Sequence, residues 1–576
     1  MSGGSDGRLT PFDKLLHRGE RDPRTRSAGL GIDLLDVVPD WERFVAAFDR
    51  ASRVAVRLRE RIVSPTVPVT APRWVVDPDF DLRYHLRRVA LPGDGSHREL
   101  LDLAEQIAMT PLDLTRPLWT VTLVEGLDGG GAAVVTSMSH VVSDGLGMVA
   151  MFESLYDTDR AGRTGPMPLV PVPTDLDPND LAIDGLKALP GLALGVTRDL
   201  VGAGLGSLTK PLSTVTGVAA YASSLNRVVD SFSATTPSPL LARRGIGRRM
   251  VTHDVDFRRL RAAAHELGGS VNDAYLAAVC AILRRYHEAL GLPVDRLPMS
   301  IPVSLRTADD PAGGNKWTGM AIPAPVGEPD PAARISQIHA AVASGRAEPA
   351  ADVLSLLSNV TASLPDAVYA QIAGRVRPAD VQASNVPSYP VDTYLAGAKV
   401  LATYAMGPLP GIALMMVMVT RAGTAFIGAR YDTDSIREDE VFERCVVEGF
   451  EEVLAAGGQP AAPVPVKTRP SPRAQRLGGE RARTPAPTRK AGTTARLGPA
   501  AKATRAAAPE VSGARSPGAA RAAVTATSMP SKRARSTKAA SAPEAATPTP
   551  TPTPRGASRR AATKRGGDSR TGGENP

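Results

Sequence analysis

Apolar residues recur along the first 456 positions with two periods, one suited to strands and one to helices. Residues 30–38 read as a strand. Residues 41–62 carry Phe44, Val45, Phe48, Val54, Val56 and Leu58, enough to pack a helix and begin a second strand. Residues 99–110 have helical spacing. Two β-prone runs, 119–125 and 132–142, flank Asp128-Gly129-Gly130-Gly131, which predicts a hairpin. The second run ends in Ser139-His140-Val141-Val142-Ser143-Asp144-Gly145. It predicts a strand that delivers an imidazole to a surface and then turns sharply on Gly145 into a helix beginning near Met148. Further on, 250–257 predicts a strand and 257–267 a helix. Gly268-Gly269 then precedes a long apolar helix reaching about Leu290, with Ser270 or Asn272 as its cap. Residues 438–454 predict a closing helix. The uncharged run 400–420 is long enough to cross a membrane, but Gly407-Pro408-Leu409-Pro410-Gly411 interrupts it. Two buried strands joined by a turn explain it better.

Composition divides this chain of 576 residues unevenly. Residues 461–576 hold 23 Lys/Arg against 5 Asp/Glu, a net of +18, so the whole-chain +9 leaves the first 460 residues at −9. The basic character belongs to the tail, and the folded body does not read as a nucleic-acid binder. The tail is Ala/Pro/Thr/Arg/Lys low complexity with a Thr-Pro repeat from Thr547, a composition that predicts disorder. Its cations suit anionic lipid, nucleic acid or CoA phosphates, and a bare solubilising extension is an equal reading. Residues 167–190 are rich in proline and aspartate, like a crossover linker. In 186–225, Leu189, Leu192, Leu194, Val196, Leu200 and Val201 are roughly periodic. A helix packed between domains is preferred there to a lipid-touching surface, because the cationic face is thin. The expected organisation is therefore a first half (1–180), a crossover (181–240), a second half (241–460) and a disordered tail (461–576). Cys280 and Cys445 sit in apolar helical patterns and read as buried free thiols, neither a disulfide framework nor a zinc site. The amino end lacks a charged-then-apolar leader pattern, so a cytoplasmic setting is expected.

The candidate chemistry starts at His140, since a neutral imidazole can take a proton from a hydroxyl at neutral pH. The His-x-x-x-Asp-Gly spacing is weak evidence alone. It resembles the His-His-x-x-x-Asp-Gly signature of the bacterial wax ester synthase/diacylglycerol acyltransferase family, with Ser139 in place of the first histidine. That family lies within the superfamily of CoA-dependent acyltransferases and peptide-synthetase condensation domains. The nine residues Pro111-Leu112-Asp113-Leu114-Thr115-Arg116-Pro117-Leu118-Trp119 resemble the family's Pro-Leu-Asp-x-x-Arg-Pro-Leu-Trp block and are far more specific. Their charges are expected to pair and brace the next strand. Thr10-Pro11-Phe12-Asp13, Pro72-Arg73-Trp74, the segment around His85, Asn272-Asp273, Pro302-Val303-Ser304-Leu305-Arg306, Gly314-Asn315, Ser384-Asn385-Val386-Pro387 and Gly397-Ala398 follow in family order. The resemblance spans residues 9–456.

It implies an α/β fold of two chloramphenicol-acetyltransferase-like subdomains with an active-site tunnel at their interface. The implied activity is transfer of a long-chain acyl group from acyl-CoA, a co-substrate with no further cofactor and no metal. The acceptor is diacylglycerol, giving triacylglycerol, or a fatty alcohol, giving a wax ester. Peripheral contact with a membrane or lipid droplet is part of that expectation. His140 carries the base role, and no Gly-x-Ser-x-Gly elbow suggests a serine nucleophile. Asn272 reads as a cap residue and, by resemblance, as an oxyanion donor beside Asp273, two compatible roles. Backbone amides near Gly145 are further candidates. Asp144 is expected to support the motif by pairing with Arg306 across the interface, and Ser139 to serve packing and hydrogen bonding. His85 fits packing at the edge of the site, a purely structural role or a solvated one. Two rival readings stay open: acyl transfer to another hydroxyl or an amine, and a catalytically weak paralogue that binds lipid or acyl-CoA.

Overall fold

The computed structural model describes residues 7–67, 69–187, 235–307, 314–347, 369 and 377–458. The periodic segment 188–234 and the basic tail lie outside the described residues.

Two six-stranded mixed sheets carry the fold. The strands, in chain order, are β1 (Ala28–Leu35), β2 (Glu60–Val63), β3 (Arg73–Val76), β4 (Leu86–Ala90), β5 (Trp119–Glu125), β6 (Ala132–Ser139), β7 (Arg248–Asp256), β8 (Leu297–Ser304), β9 (Trp317–Ala324), β10 (Val381–Pro387), β11 (Tyr394–Leu395), β12 (Ala398–Met406), β13 (Leu414–Arg421) and β14 (Thr424–Asp432). The helices are α1 (Pro11–Gly19), α2 (Trp41–Val54), α3 (Leu82–His85), α4 (His97–Met109), α5 (Gly145–Phe152), α6 (Phe257–Glu266), α7 (Val271–Ala289), α8 (Pro331–Ala347) and α9 (Asp439–Ala456). The first sheet runs β11-β12-β1-β6-β5-β4 and the second β7-β14-β13-β10-β8-β9, with β2 and β3 forming a separate pair.

Period-two alternation on β1 and β6 decides what faces what. Leu30, Ile32, Ala133 and Val135 enter a core with Leu100, Leu101 and Ala104 of α4, to which Met250, Tyr404 and Phe426 also belong. Val134 and Met138 face the opposite way. On α2, Asp40 caps the amino end by accepting from Arg43 N, and Phe44 and Phe48 are fully buried. Each such burial contributes about 1.5–3 kcal/mol. In the second half α7 is buried on all sides from Ala274 to Leu283, which explains an apolar pattern without a polar face. Ser270 and Asp273 form a reciprocal capping box at its start. Cys280 and Cys445 are free and buried in this core, where burial pushes the Cys280 thiol up to about 12.

The apolar run 400–420 departs from expectation. It forms two strands, but β12 pairs with β1 while β13 pairs with β10 and β14. The proline-glycine break is a crossing between sheets, not the tip of a hairpin. Segment 241–460 therefore does not form one sheet, because β11 and β12 complete the sheet of the first half. Among the described residues, no helix is long and apolar enough to cross a membrane.

Candidate active site

His140 follows the last residue of β6 and is held at both backbone atoms. Its N–H donates to Ser27 O at 3.1 Å, and its carbonyl accepts from Asn315 Nδ2 at 2.6 Å. The ring lines a cavity of about 550 Å³ whose walls come from both sheets and α5, among them Met138, Met148, Trp317, Val386, Met415 and Val417. Room for the ring depends on Gly29, where an added Cβ would stand 3.2 Å from His140 Cε1. Among the described residues, Nδ1 has no hydrogen-bond partner. Burial lowers the imidazole to about 4; Asp144 and the Ser27 hydrogen bond oppose this and Arg430 reinforces it. The ring is therefore neutral at physiological pH, the state a proton acceptor requires.

Asp144 does not bond to the ring. It is the N-cap of α5, with Oδ1 accepting from Gly147 N at 2.7 Å. Its Oδ2 accepts from Arg306 Nη2 at 3.0 Å and from Lys316 N at 2.8 Å. Arg306 also donates to Gly314 O at 2.8 Å, and Asp144 N donates to the same carbonyl at 3.2 Å. The motif loop of the first half is thus stapled to segment 314–316 of the second. Gly145 is not the sharp turn. It is the first residue of α5 with no positive φ, and the bend is made by 139–142, where Val142 N donates to Ser139 O at 3.0 Å. The sterically demanding glycine is Gly147, where a Cβ would lie 2.1 Å from Ser143 Oγ and 2.7 Å from Arg306 Nη2.

Residues 8–275 match the wax ester synthase/diacylglycerol acyltransferase catalytic domain, and residues 313–453 the WS/DGAT C-terminal domain. The chain belongs to this family. It is 49% identical over 457 residues to a Mycobacterium tuberculosis (strain H37Rv) protein named "Putative diacyglycerol O-acyltransferase Rv2484c", covering 79% of this chain and 93% of that one. It is 30% identical over 368 residues to "Probable diacyglycerol O-acyltransferase tgs2" of the same organism, covering 62% and 77%. Among solved structures, the wax ester synthase/diacylglycerol acyltransferase of Marinobacter aquaeolei VT8 superposes with a TM-score of 0.55 at 20% identity, covering 78% of this chain and all of that one. A condensation domain of the calcium-dependent antibiotic synthetase gives 0.50 at 16% identity, covering 79% and 97%. The mixed α/β fold resembles that of both structures.

Where the family signature has its first histidine, this acyltransferase buries Ser139 completely. Its Oγ donates to Glu20 Oε1 at 2.6 Å and lies 3.3 Å from Ser27 Oγ, which donates to the same carboxylate oxygen at 2.6 Å. Arg430, buried nearby and lowered to about 9 by that burial, holds Ala28 O at 3.0 Å. Glu20 was not legible as a site residue, since nothing in its local sequence marks it. The sequence marks Asn315 only as part of the Gly314-Asn315 motif. Asn315 bridges His140 O to Asp13 Oδ1 at 2.8 Å, which ties α1 to His140.

Asn272 is a correction to the expected site. It stands second in α7 and is absent from the cavity wall; the cap is Ser270, and Asp273 faces Ser270 and His339 Nδ1 at 3.0 Å. Ser270 takes the capping place because its Oγ accepts from Asp273 N at 3.2 Å while the Asp273 carboxylate accepts from Ser270 N at 2.9 Å. His85 is structural. Its Nδ1–H donates to Trp119 O at 2.7 Å, the ring stacks on Trp119 at 4.3 Å, and burial lowers it to about 4. In the Pro111–Trp119 block, Asp113 accepts from Thr115 N at 2.9 Å and lies 3.9 Å from Arg116 Nε, so its charges pair at the surface just before β5.

Proposed function

We propose that the protein moves a long-chain acyl group from acyl-CoA to the hydroxyl of diacylglycerol or a fatty alcohol, with His140 as general base and no covalent acyl-enzyme. The carrying observation is a neutral imidazole on the wall of a largely apolar cavity between two sheets. The acceptor hydroxyl attacks the thioester carbonyl while His140 takes its proton. The tetrahedral oxyanion then collapses, the C–S bond breaks, and the imidazolium returns the proton to the departing thiolate of CoA. With Asn272 outside the cavity wall, the oxyanion falls to backbone amides at the start of α5, where Gly145 and Leu146 line the cavity. The apolar wall excludes water, which would otherwise hydrolyse the thioester. Substrates of this kind reside in lipid, and the exposed Leu169 and Val172, 92% and 83% accessible, suit contact with a membrane or droplet surface.

The test is CoA release from palmitoyl-CoA by purified protein, offered diacylglycerol and hexadecanol separately. Turnover with either acceptor that falls about 10²–10⁴-fold in His140→Ala supports the reading. Binding of acyl-CoA without turnover on any acceptor would overturn it in favour of a lipid-binding paralogue.

A further inference from the structure

Beyond His140 the cavity continues along one face of β1. Gly29, Gly31 and Asp33 line it in alternation, paired in register with Met138, Thr136 and Val134 of β6. A Cβ at Gly31 would meet no atom within 4 Å, and its φ is not positive, so the backbone does not require glycine there. The missing side chain leaves a passage open. Four residues of strand place Asp33 about 13 Å from Gly29 and the adjoining His140 ring.

At Asp33 the wall changes character. Asp33 as a residue is 7% exposed; its Oδ2 accepts from Tyr156 OH at 2.6 Å and its Oδ1 from Thr403 Oγ1 at 2.6 Å. Arg421, also on the wall, directs its guanidinium to Val400 O at 2.8 Å and Thr393 Oγ1 at 2.7 Å, and its charge acts on the Asp33 carboxyl from there. Burial raises the carboxyl above its ordinary value. Each carboxyl oxygen keeps a second acceptor site. The cluster is not needed to join β1 to β12, because the backbone ladder already pairs Asp33 with Thr403. Tyr156, Thr393, Thr403 and Arg421 make this end of the cavity wall polar, in contrast to the methionines and valines nearer His140, and the carboxyl's remaining acceptor sites gain from a further donor there.

We propose that this recess recognises a hydroxyl carried on the alkyl chain of one of the two substrates, about 13 Å along β1 from the reacting atom. The chemical class is a hydroxylated chain: an α,ω-diol as acceptor, or an ω-hydroxyacyl-CoA as donor. The chain lies over Gly29 and Gly31, and its distal hydroxyl donates to Asp33. The inference rests on the acyltransferase reading for which chains enter, but its test is equilibrium binding.

Calorimetry on the full chain would compare dodecanol with dodecanediol, and dodecanoyl-CoA with ω-hydroxydodecanoyl-CoA. In one of these pairs the hydroxylated chain should bind about tenfold tighter, as a hydrogen bond to a buried charged or polar group implies. The pair that shows it assigns the recess to acceptor or donor. Asp33→Leu should abolish the preference while keeping affinity for the plain chain. Thr403→Val, a milder change, should reduce it if Asp33→Leu does not fold. Gly31→Leu should weaken both long chains and spare butanol. Equal affinities in both pairs, or a preference that survives loss of Asp33, would overturn the inference. Absence of CoA release from dodecanoyl-CoA would instead count against the acyltransferase reading and leave the binding comparison standing.

Discussion

Replacing Arg306 by alanine severs an ion pair that reaches from the His140 loop to the second half of the chain. The pair is 3.0 Å long, with side chains only 10% and 8% exposed. Removing one partner of a fully buried pair costs about 3–5 kcal/mol, because the other charge is left behind. Here Asp144 keeps two backbone donors, Gly147 N at 2.7 Å and Lys316 N at 2.8 Å, so a cost of about 2–3 kcal/mol is expected. Arg306 also donates to Gly314 O, so the single variant removes more than the pair. A cycle with Asp144→Asn, which keeps an acceptor for the cap, isolates the coupling at about 2 kcal/mol.

The assay is urea unfolding followed by tryptophan fluorescence, with CoA release measured on the same preparations. His140 is held through Asn315, the residue next to Gly314 in the stapled segment. Loosening that staple should shift the base by a fraction of an ångström to an ångström and lower kcat/KM about 10²-fold. A coupling below about 0.5 kcal/mol together with unchanged kcat/KM would refute the argument that the pair positions the base.

Gly147→Ala should reproduce the Arg306→Ala phenotype in both assays, since its Cβ would meet Ser143 Oγ at 2.1 Å and the guanidinium at 2.7 Å. Gly145→Ala should stay within about 1 kcal/mol of the parent, because its Cβ meets only Val386 Cγ2 at 3.4 Å. His140 and His85 are both held near 4 by burial, so between about 6.5 and about 4 the unfolded chain binds more protons than the folded one. Their stabilisation is present above about 6.5 and lost as pH falls toward 4, and the urea midpoint should drop across that window, less steeply in His85→Phe. Ser139→Ala should cost about 1–3 kcal/mol, as a buried carboxylate oxygen of Glu20 loses a 2.6 Å donor; an unchanged midpoint would argue against that network.

Short-range signals made much of the architecture legible. The 128–131 turn gave the β5–β6 hairpin, and of the two expected caps, Ser270 and Asn272, the first opens α7. Segment 250–267 came out as strand then helix within two residues at its outer ends. Arg306 was found through motif order. What stayed hidden depends on contacts between distant positions. The side chains of Asn315 and Asp13 are 302 residues apart in sequence, and Ser139 and Glu20 are 119 apart. No local pattern specifies such a partner. The same reason hides the fate of 400–420: alternation identifies two strands but cannot say that one crosses to pair with β1.

The serine at position 139 follows from the pleat of β6. Successive residues on a strand point to opposite faces, so with His140 on the cavity, position 139 points behind it. There Ser139 meets Glu20 and Ser27, fully buried, and is absent from the cavity wall. A histidine at 139 would face that same interior, out of reach of an acceptor hydroxyl in the cavity. Exchanging it for serine therefore removes no group from the path of the proton. It changes what supports the loop from behind, and the Glu20 carboxylate fills that role by accepting from two hydroxyls and from Ser27 N at 3.1 Å. On the proposed mechanism one imidazole takes the proton, and its place is fixed by its backbone, through Ser27 on one side and Asn315 on the other.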